Sequence, residues 1–126
     1  MNFTRKLSLG LSAAALALAG VGATAPSAAA VGGCPSNTLC LYRGYNYTDL
    51  AVTSKSTNIC IDVHTWFREQ GIHSYVNNLP VKVNVYDWVQ ETGYRYDATI
   101  RSGGFSSNAG TSFGYEGAVC MGSASL

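Results

Sequence analysis

Four cysteines, two histidines and seven carboxylates carry whatever reactive chemistry this chain has. Cys34, Cys40, Cys60 and Cys120 are not in the paired C-x-x-C spacing that tetrahedral zinc favours, and an even number in a small exported domain reads as a disulfide framework. Three pairings are open. Locality suggests Cys34 with Cys40, which leaves Cys60 with Cys120 to tie the middle of the chain to its end, a bridge worth about 4 to 5 kcal/mol in the chain-entropy account. His64 and His73 stand nine apart with no third ligand at fixed spacing; Asp62 and Glu69 are near, yet the pattern specifies no metal site. No Gly-x-Ser-x-Gly elbow occurs, and Asp62, Glu69, Asp87, Glu91, Asp97 and Glu116 are scattered as solubilising charges are. The chain reads as no enzyme, with no cofactor and no catalytic residue.

The aromatic residues say more. Eight Tyr and two Trp, all between positions 42 and 115, exceed what a small core needs, and these are the side chains that anchor interfaces. Tyr42, Tyr86 and Tyr96 are read as core fillers, because large aliphatics are few. Trp88 differs, since it ends a strand where a loop opens. With Glu91, Tyr94, Arg101 and Phe105 it forms the candidate target-binding set, on the loops after Trp88 and after Arg101. Asn46-Tyr47-Thr48 is a glycosylation sequon that is silent in a bacterial host.

The elements that must position these residues are short strands. Leu39 to Arg43, Leu50 to Thr53 and Ile59 to Val63 are strand-like, the last alternating with Cys60 on one side. His64 to Gln70 reads as a helical turn that Gly71 ends. Over residues 74–88 two strand-like runs meet at a Pro-containing turn, a central hairpin in which Val81, Val83 and Val85 share one face. Next come a loop over residues 89–93 and a strand over 94–101, with Tyr94, Tyr96, Ala98 and Ile100 on a common face. Residues 102–117 are Gly/Ser-rich with Phe105, Phe113 and Tyr115 as isolated anchors, and Ala118 to Cys120 close the chain. Short strands with turn signals between them predict a small all-β sandwich or barrel.

The first 30 residues read as a secretory signal peptide: Arg5 and Lys6, an apolar run from Leu7 to Val21, and Ala28-Ala29-Ala30 before cleavage. A cut after Ala25 is the alternative. Residues 31–126 are then one exported domain, read as a monomer. Without Arg5 and Lys6, six basic residues face seven acidic ones, a net charge of −1. No Lys/Arg cluster remains, which excludes a nucleic-acid footprint and a polybasic membrane patch, and no apolar stretch is long enough for membrane insertion.

A loose internal repeat adds a resemblance. Tyr42 with Tyr47, and Tyr86 with Gly93, resemble the βγ-crystallin Greek-key signature of aromatic, four residues, aromatic, one residue, Gly; Asp49 stands where the first Gly belongs and Glu91 where the second aromatic belongs. Cys34-Pro35-Ser36-Asn37-Thr38-Leu39-Cys40-Leu41-Tyr42, then Ser74-Tyr75-Val76-Asn77-Asn78 and Val83-Asn84-Val85-Tyr86, is similar to the secreted Streptomyces metalloproteinase-inhibitor family. The likeness covers most of residues 34–101. It implies a single βγ-crystallin-like domain of two Greek keys packed as two sheets, with two disulfides, and inhibition of an extracellular peptidase, thermolysin-like zinc enzymes for the type member. That member carries a second local disulfide around its reactive segment, whereas residues 88–104 here contain no cysteine. Of the crystallin calcium pattern only Ser74 is kept, with Glu69 a possible oxygen ligand. The partner implied is an extracellular peptidase or another secreted or cell-surface protein. The rival reading is a non-inhibitory crystallin-like module, either a cell-envelope interaction protein or an antimicrobial toxin.

Overall fold

Short runs rich in Val, Ile, Leu and Tyr, separated by Gly, Asn and Ser, leave the chain little choice but brief strands and tight turns. The structure, a computed structural model, describes residues 28–126; the expected signal peptide lies outside the described residues except for its last three. Eight strands follow: β1 (Leu39–Tyr42), β2 (Leu50–Ser54), β3 (Cys60–Asp62), β4 (Ser74–Asn77), β5 (Val83–Val89), β6 (Gly93–Ile100), β7 (Phe105–Ser106) and β8 (Ala118–Met121). One helical turn, α1 (His64–Phe67), interrupts them. It stops at Phe67 and not before Gly71, because Arg68 takes a left-handed φ of 50° while its N–H bonds the His64 carbonyl.

Two four-stranded antiparallel sheets result, with strand orders β2-β1-β4-β7 and β3-β8-β5-β6. Each half of the chain gives three strands to one sheet and lends the fourth to the other. β3 leaves the first half to flank β8, and β7 leaves the second half to flank β4. The central hairpin expected over residues 74–88 is therefore absent: β4 and β5 lie in different sheets, and the Pro80 turn carries the chain from one to the other. β7 was hidden in sequence, since two residues in a Gly/Ser-rich stretch make no periodicity.

Between the sheets lie Leu39, Leu41, Val52, Val63, Phe67, Ile72, Leu79, Val83, Val85, Ile100, Val119 and Met121, all buried. β1 alternates between two environments. Leu39 and Leu41 enter this core, while Cys40 and Tyr42 join Cys34 and Val76 in a second cluster on the other face. The bridges are Cys34–Cys40 and Cys60–Cys120, the pairing that locality suggested. The second crosses the directly opposed residues of β3 and β8 and so pins that register.

Asn77 ties the sheets together. Wholly buried at the end of β4, it donates from Nδ2 to the carbonyls of Val81, Ile100 and Arg101 at 3.0, 3.3 and 3.1 Å, and its Oδ1 accepts from Leu79 N–H at 3.1 Å. Ser74 is equally committed: its hydroxyl donates to the Gly44 carbonyl at 2.6 Å and accepts from Tyr47 N–H at 3.0 Å.

Candidate functional site

β5 and β6 form the longest pairing in the molecule, from Val83 opposite Ile100 to Val89 opposite Gly93, and only residues 90–92 make the tip. Alternation along β6 predicts that Tyr94 and Tyr96 share a face with Ala98 and Ile100. They do not. Val85 faces Ala98 but Tyr86 faces Tyr96, so Asp97 is an extra, unpaired residue. This β-bulge turns Tyr96 and Tyr94 to the side of Tyr86 and Trp88, away from the core. Of the three tyrosines read as core fillers, Tyr42 is buried, Tyr86 is half-buried and Tyr96 is 56% exposed.

The outer face of the hairpin is thus a ladder of three rungs. Nearest the base, Asn84 faces Thr99, whose hydroxyl donates to Asn84 Oδ1 at 2.8 Å and accepts from the Tyr96 O–H at 2.8 Å. In the middle, Tyr86 and Tyr96 meet edge to face at 6.1 Å between centroids. Nearest the tip, Trp88 and Tyr94 do the same at 5.0 Å. Both remain open to solvent, Trp88 at 44% and Tyr94 at 39%. An exposed indole held by a cross-strand partner has little freedom left to lose on binding.

The other face is charged. Arg95 Nη2 donates to Asp87 Oδ2 at 2.8 Å, and Gly114 N–H donates to Asp97 Oδ2 at 3.1 Å, which fastens the bulge to the loop before β8. Asp87 Oδ1 is buried without a partner. Burial raises the Asp97 carboxyl above its ordinary range and the neighbouring Asp87 carboxylate raises it further, against the Gly114 N–H and Arg95.

Beside the tip opens a cleft of about 320 Å³ lined by Asp62, His64, Trp88, Tyr94 and Glu116. Asp62 ends β3, Trp88 and Tyr94 come from β5 and β6, and Glu116 lies in the turn two residues before β8, so three strands of this sheet and the approach to the fourth bring residues to it. Asp62 Oδ1 accepts from His64 N–H at 2.9 Å, which orients the carboxylate. Burial first, and then the Asp62 charge, raises the Tyr94 phenol, which stays a neutral O–H. Sequence reasoning met these three polar residues only as an unspecified metal set and as scattered charges; with Cys60 opposite Cys120, Asp62 must face Ala118, but Glu116 lies in the turn before β8 with φ 48°, where alternation does not reach.

The residues singled out in sequence fall into two groups. Trp88, Glu91 and Tyr94 lie at the tip; Arg101 follows the far end of β6, and Phe105, 41% exposed, sits in β7 of the other sheet. Seven paired positions separate the ends, about 20 Å at strand spacing. The loops after Trp88 and after Arg101 consequently face opposite ends of the hairpin. His73 is engaged elsewhere, its Nδ1 bonded to the Arg43 carbonyl and its ring 4.7 Å from that of Tyr45. No group of three or more His, Cys, Asp and Glu among the described residues could hold a metal ion.

A disulfide-bonded, two-sheet β domain that holds an aromatic ladder open to solvent has the build of a protein that works through a surface. The family model of peptidase inhibitor family I36 matches residues 27–95, 69 of the 126, and the chain belongs to that family, the one its cysteine and tyrosine spacing resembles. No curated protein and no solved structure matches the chain significantly. The family match stops inside β6, so it includes Trp88, Glu91 and Tyr94 and leaves out Arg101 and Phe105. Membership implies a peptidase inhibitor with a peptidase as partner, and with the two disulfides it points to an extracellular protein. No helix among the described residues is long and apolar enough to cross a membrane.

Proposed function

We propose that residues 31–126 are the secreted form and inhibit an extracellular peptidase, of the metallopeptidase class first, by presenting the tip of the β5–β6 hairpin to the enzyme. The observation that carries this is the exposed Trp88–Tyr94 pair on a bulge-stiffened hairpin inside the family-matched region. Trp88 is the anchor, Tyr94 its support, and Glu91 the charge at the apex. Arg101 and Phe105 then belong to a different surface.

The same reading takes the domain as two βγ-crystallin-type Greek keys. The reciprocal loan of β3 and β7 supports it, and so does the backbone at the motif positions. Asp49 keeps the left-handed φ, 55°, that a Gly would supply, Gly93 has φ 83°, and Tyr47 packs edge to face on Tyr42 at 5.8 Å.

The test is titration of residues 31–126 against a panel of thermolysin-type metallopeptidases and serine peptidases. Activity of a metallopeptidase falls stoichiometrically, and Trp88→Ala weakens the inhibition about 30-fold, the loss of a hot-spot residue worth about 2 kcal/mol. No inhibition across the panel refutes the function. Inhibition that Trp88→Ala leaves intact and Phe105→Ser abolishes refutes the hairpin tip as its surface.

A further inference from the structure

We infer that the cleft at the hairpin tip receives an arginine side chain of the protein's partner. Charge speaks first. Asp62 and Glu116 bring two carboxylates to the cleft and no Lys or Arg lines it. The ion pairs among the described residues, Arg43–Asp49 and Arg95–Asp87, involve neither of them. Of the hairpin's own carboxylates, Asp87 has its cation and Asp97 has the Gly114 N–H, while Glu91 stands alone at the apex; the cleft is where two carboxylates come together without a cation.

Shape speaks second. Trp88 and Tyr94 meet at an interplanar angle of 76°, and both line the cleft, which gives it a corner of two aromatic walls. A planar cation stacks against one wall and meets the other edge-on, and a guanidinium does this better than an ammonium. Its fork of N–H donors also suits two carboxylates, one at the end of β3 and one in the turn before β8, where a lysine offers one compact charge. Asp62 already uses Oδ1 on His64 N–H, so its Oδ2 is the atom free for the ligand. An acidic or purely apolar ligand would leave both carboxylates facing it without partners.

This deepens the hairpin-tip reading, because Trp88 and Tyr94 serve both, and it names the chemistry the inhibited enzyme must offer there. The binding step needs no peptidase, which keeps the two ideas separable.

The probe is N-acetyl-arginine amide, with the citrulline compound as its uncharged counterpart. It is added to residues 31–126 carrying Trp66→Phe, so that Trp88 is the remaining indole. Arginine amide shifts the Trp88 emission saturably with a roughly millimolar Kd, suited to a fragment, and citrulline amide binds about tenfold more weakly or not at all. Asp62→Asn with Glu116→Gln keeps the oxygen for His64 N–H and removes both charges, and it weakens arginine amide by about tenfold or more. Citrulline binding as well as arginine, affinity retained in the double variant, or no saturable shift in a protein that unfolds normally each overturns the assignment. Arginine binding without inhibition of any peptidase upholds this site and removes only the inhibitory reading.

Discussion

Removing each disulfide in turn should destabilise the domain by unequal amounts, and the inequality can be worked out beforehand. Cys60–Cys120 spans 60 positions and Cys34–Cys40 spans six. Loop closure in the unfolded chain makes the long bridge worth about 4 kcal/mol and the short one about 2 kcal/mol. The packing lost is similar, because Cys34, Cys40 and Cys120 are buried and Cys60 is half-buried. The difference of about 2 kcal/mol therefore reports chain entropy. Cys60→Ala/Cys120→Ala and Cys34→Ala/Cys40→Ala proteins are compared with the parent by urea unfolding. The first pair should lose about twice the free energy and also show a steeper denaturant slope, since its unfolded chain is free to expand. In thermal scans the extra 2 kcal/mol appears as roughly 8 to 16 °C for a domain of this size. Equal losses, or a larger loss for the short bridge, would refute the loop-closure reasoning and shift the weight to the Tyr42–Val76 cluster around Cys34–Cys40.

Three further outcomes follow from single contacts. Asn77→Ala strands the backbone groups that tie β4 to the crossover and to the end of β6 and should cost about 3 kcal/mol in urea unfolding, with Asn77→Asp worse because a carboxylate would face three carbonyls. In Gly117→Ala the new Cβ would stand 1.6 Å from the Tyr86 carbonyl oxygen, so β5 and β8 must part, at about 3 kcal/mol or more and with a red shift of the Trp88 emission. Asp97 has its carboxyl raised in the folded state, so the native protein binds that proton more tightly than the unfolded chain. Its contribution is then full below the ordinary Asp range of about 3.9 and is lost as pH rises through the higher folded value. Asp97→Asn keeps an oxygen for Gly114 N–H and abolishes that decline; unfolding midpoints of the two proteins that run parallel from pH 3 to 7 would contradict it.

What the sequence showed and what it hid divide along physical lines. The positions of every strand but β7, the locality-based disulfide pairing and the family likeness were legible because they rest on period-two alternation, cysteine count and local spacing. Sheet membership was not. Residues 74–88 read as one hairpin because the turn chemistry at Asn77 to Pro80 suits a hairpin and an inter-sheet crossing equally, and only the distant partners Ile100 and Arg101 of the Asn77 side chain decide between them. The bulge at Asp97 was equally hidden. Alternation assumes one residue per rung, so a single unpaired residue sends Tyr94 and Tyr96 to the face opposite the one that counting assigns. The cleft is assembled from residues up to 54 positions apart, Asp62 and Glu116, and the Cys60–Cys120 register reaches Asp62 but not the turn that holds Glu116.

The bulge also bears on how the proposed binding tip is held rigid although residues 88–104 contain no cysteine. A disulfide closing a loop of half a dozen residues contributes about 2 kcal/mol. The ladder here offers two edge-to-face aromatic pairs at about 0.5 to 1.5 kcal/mol each, with the Tyr96–Thr99–Asn84 hydrogen bonds beside them. The Arg95–Asp87 pair adds little, since Arg95 is 69% exposed. The magnitudes are comparable, but the mechanism differs in one respect that matters for function. A bridge restrains the chain and leaves its side chains free, whereas an aromatic ladder restrains with the very groups that would touch the partner. Because Asp97 is what turns Tyr94 and Tyr96 onto the outer face, the residue that disrupts the alternation is also the one that joins stiffness to the proposed recognition surface.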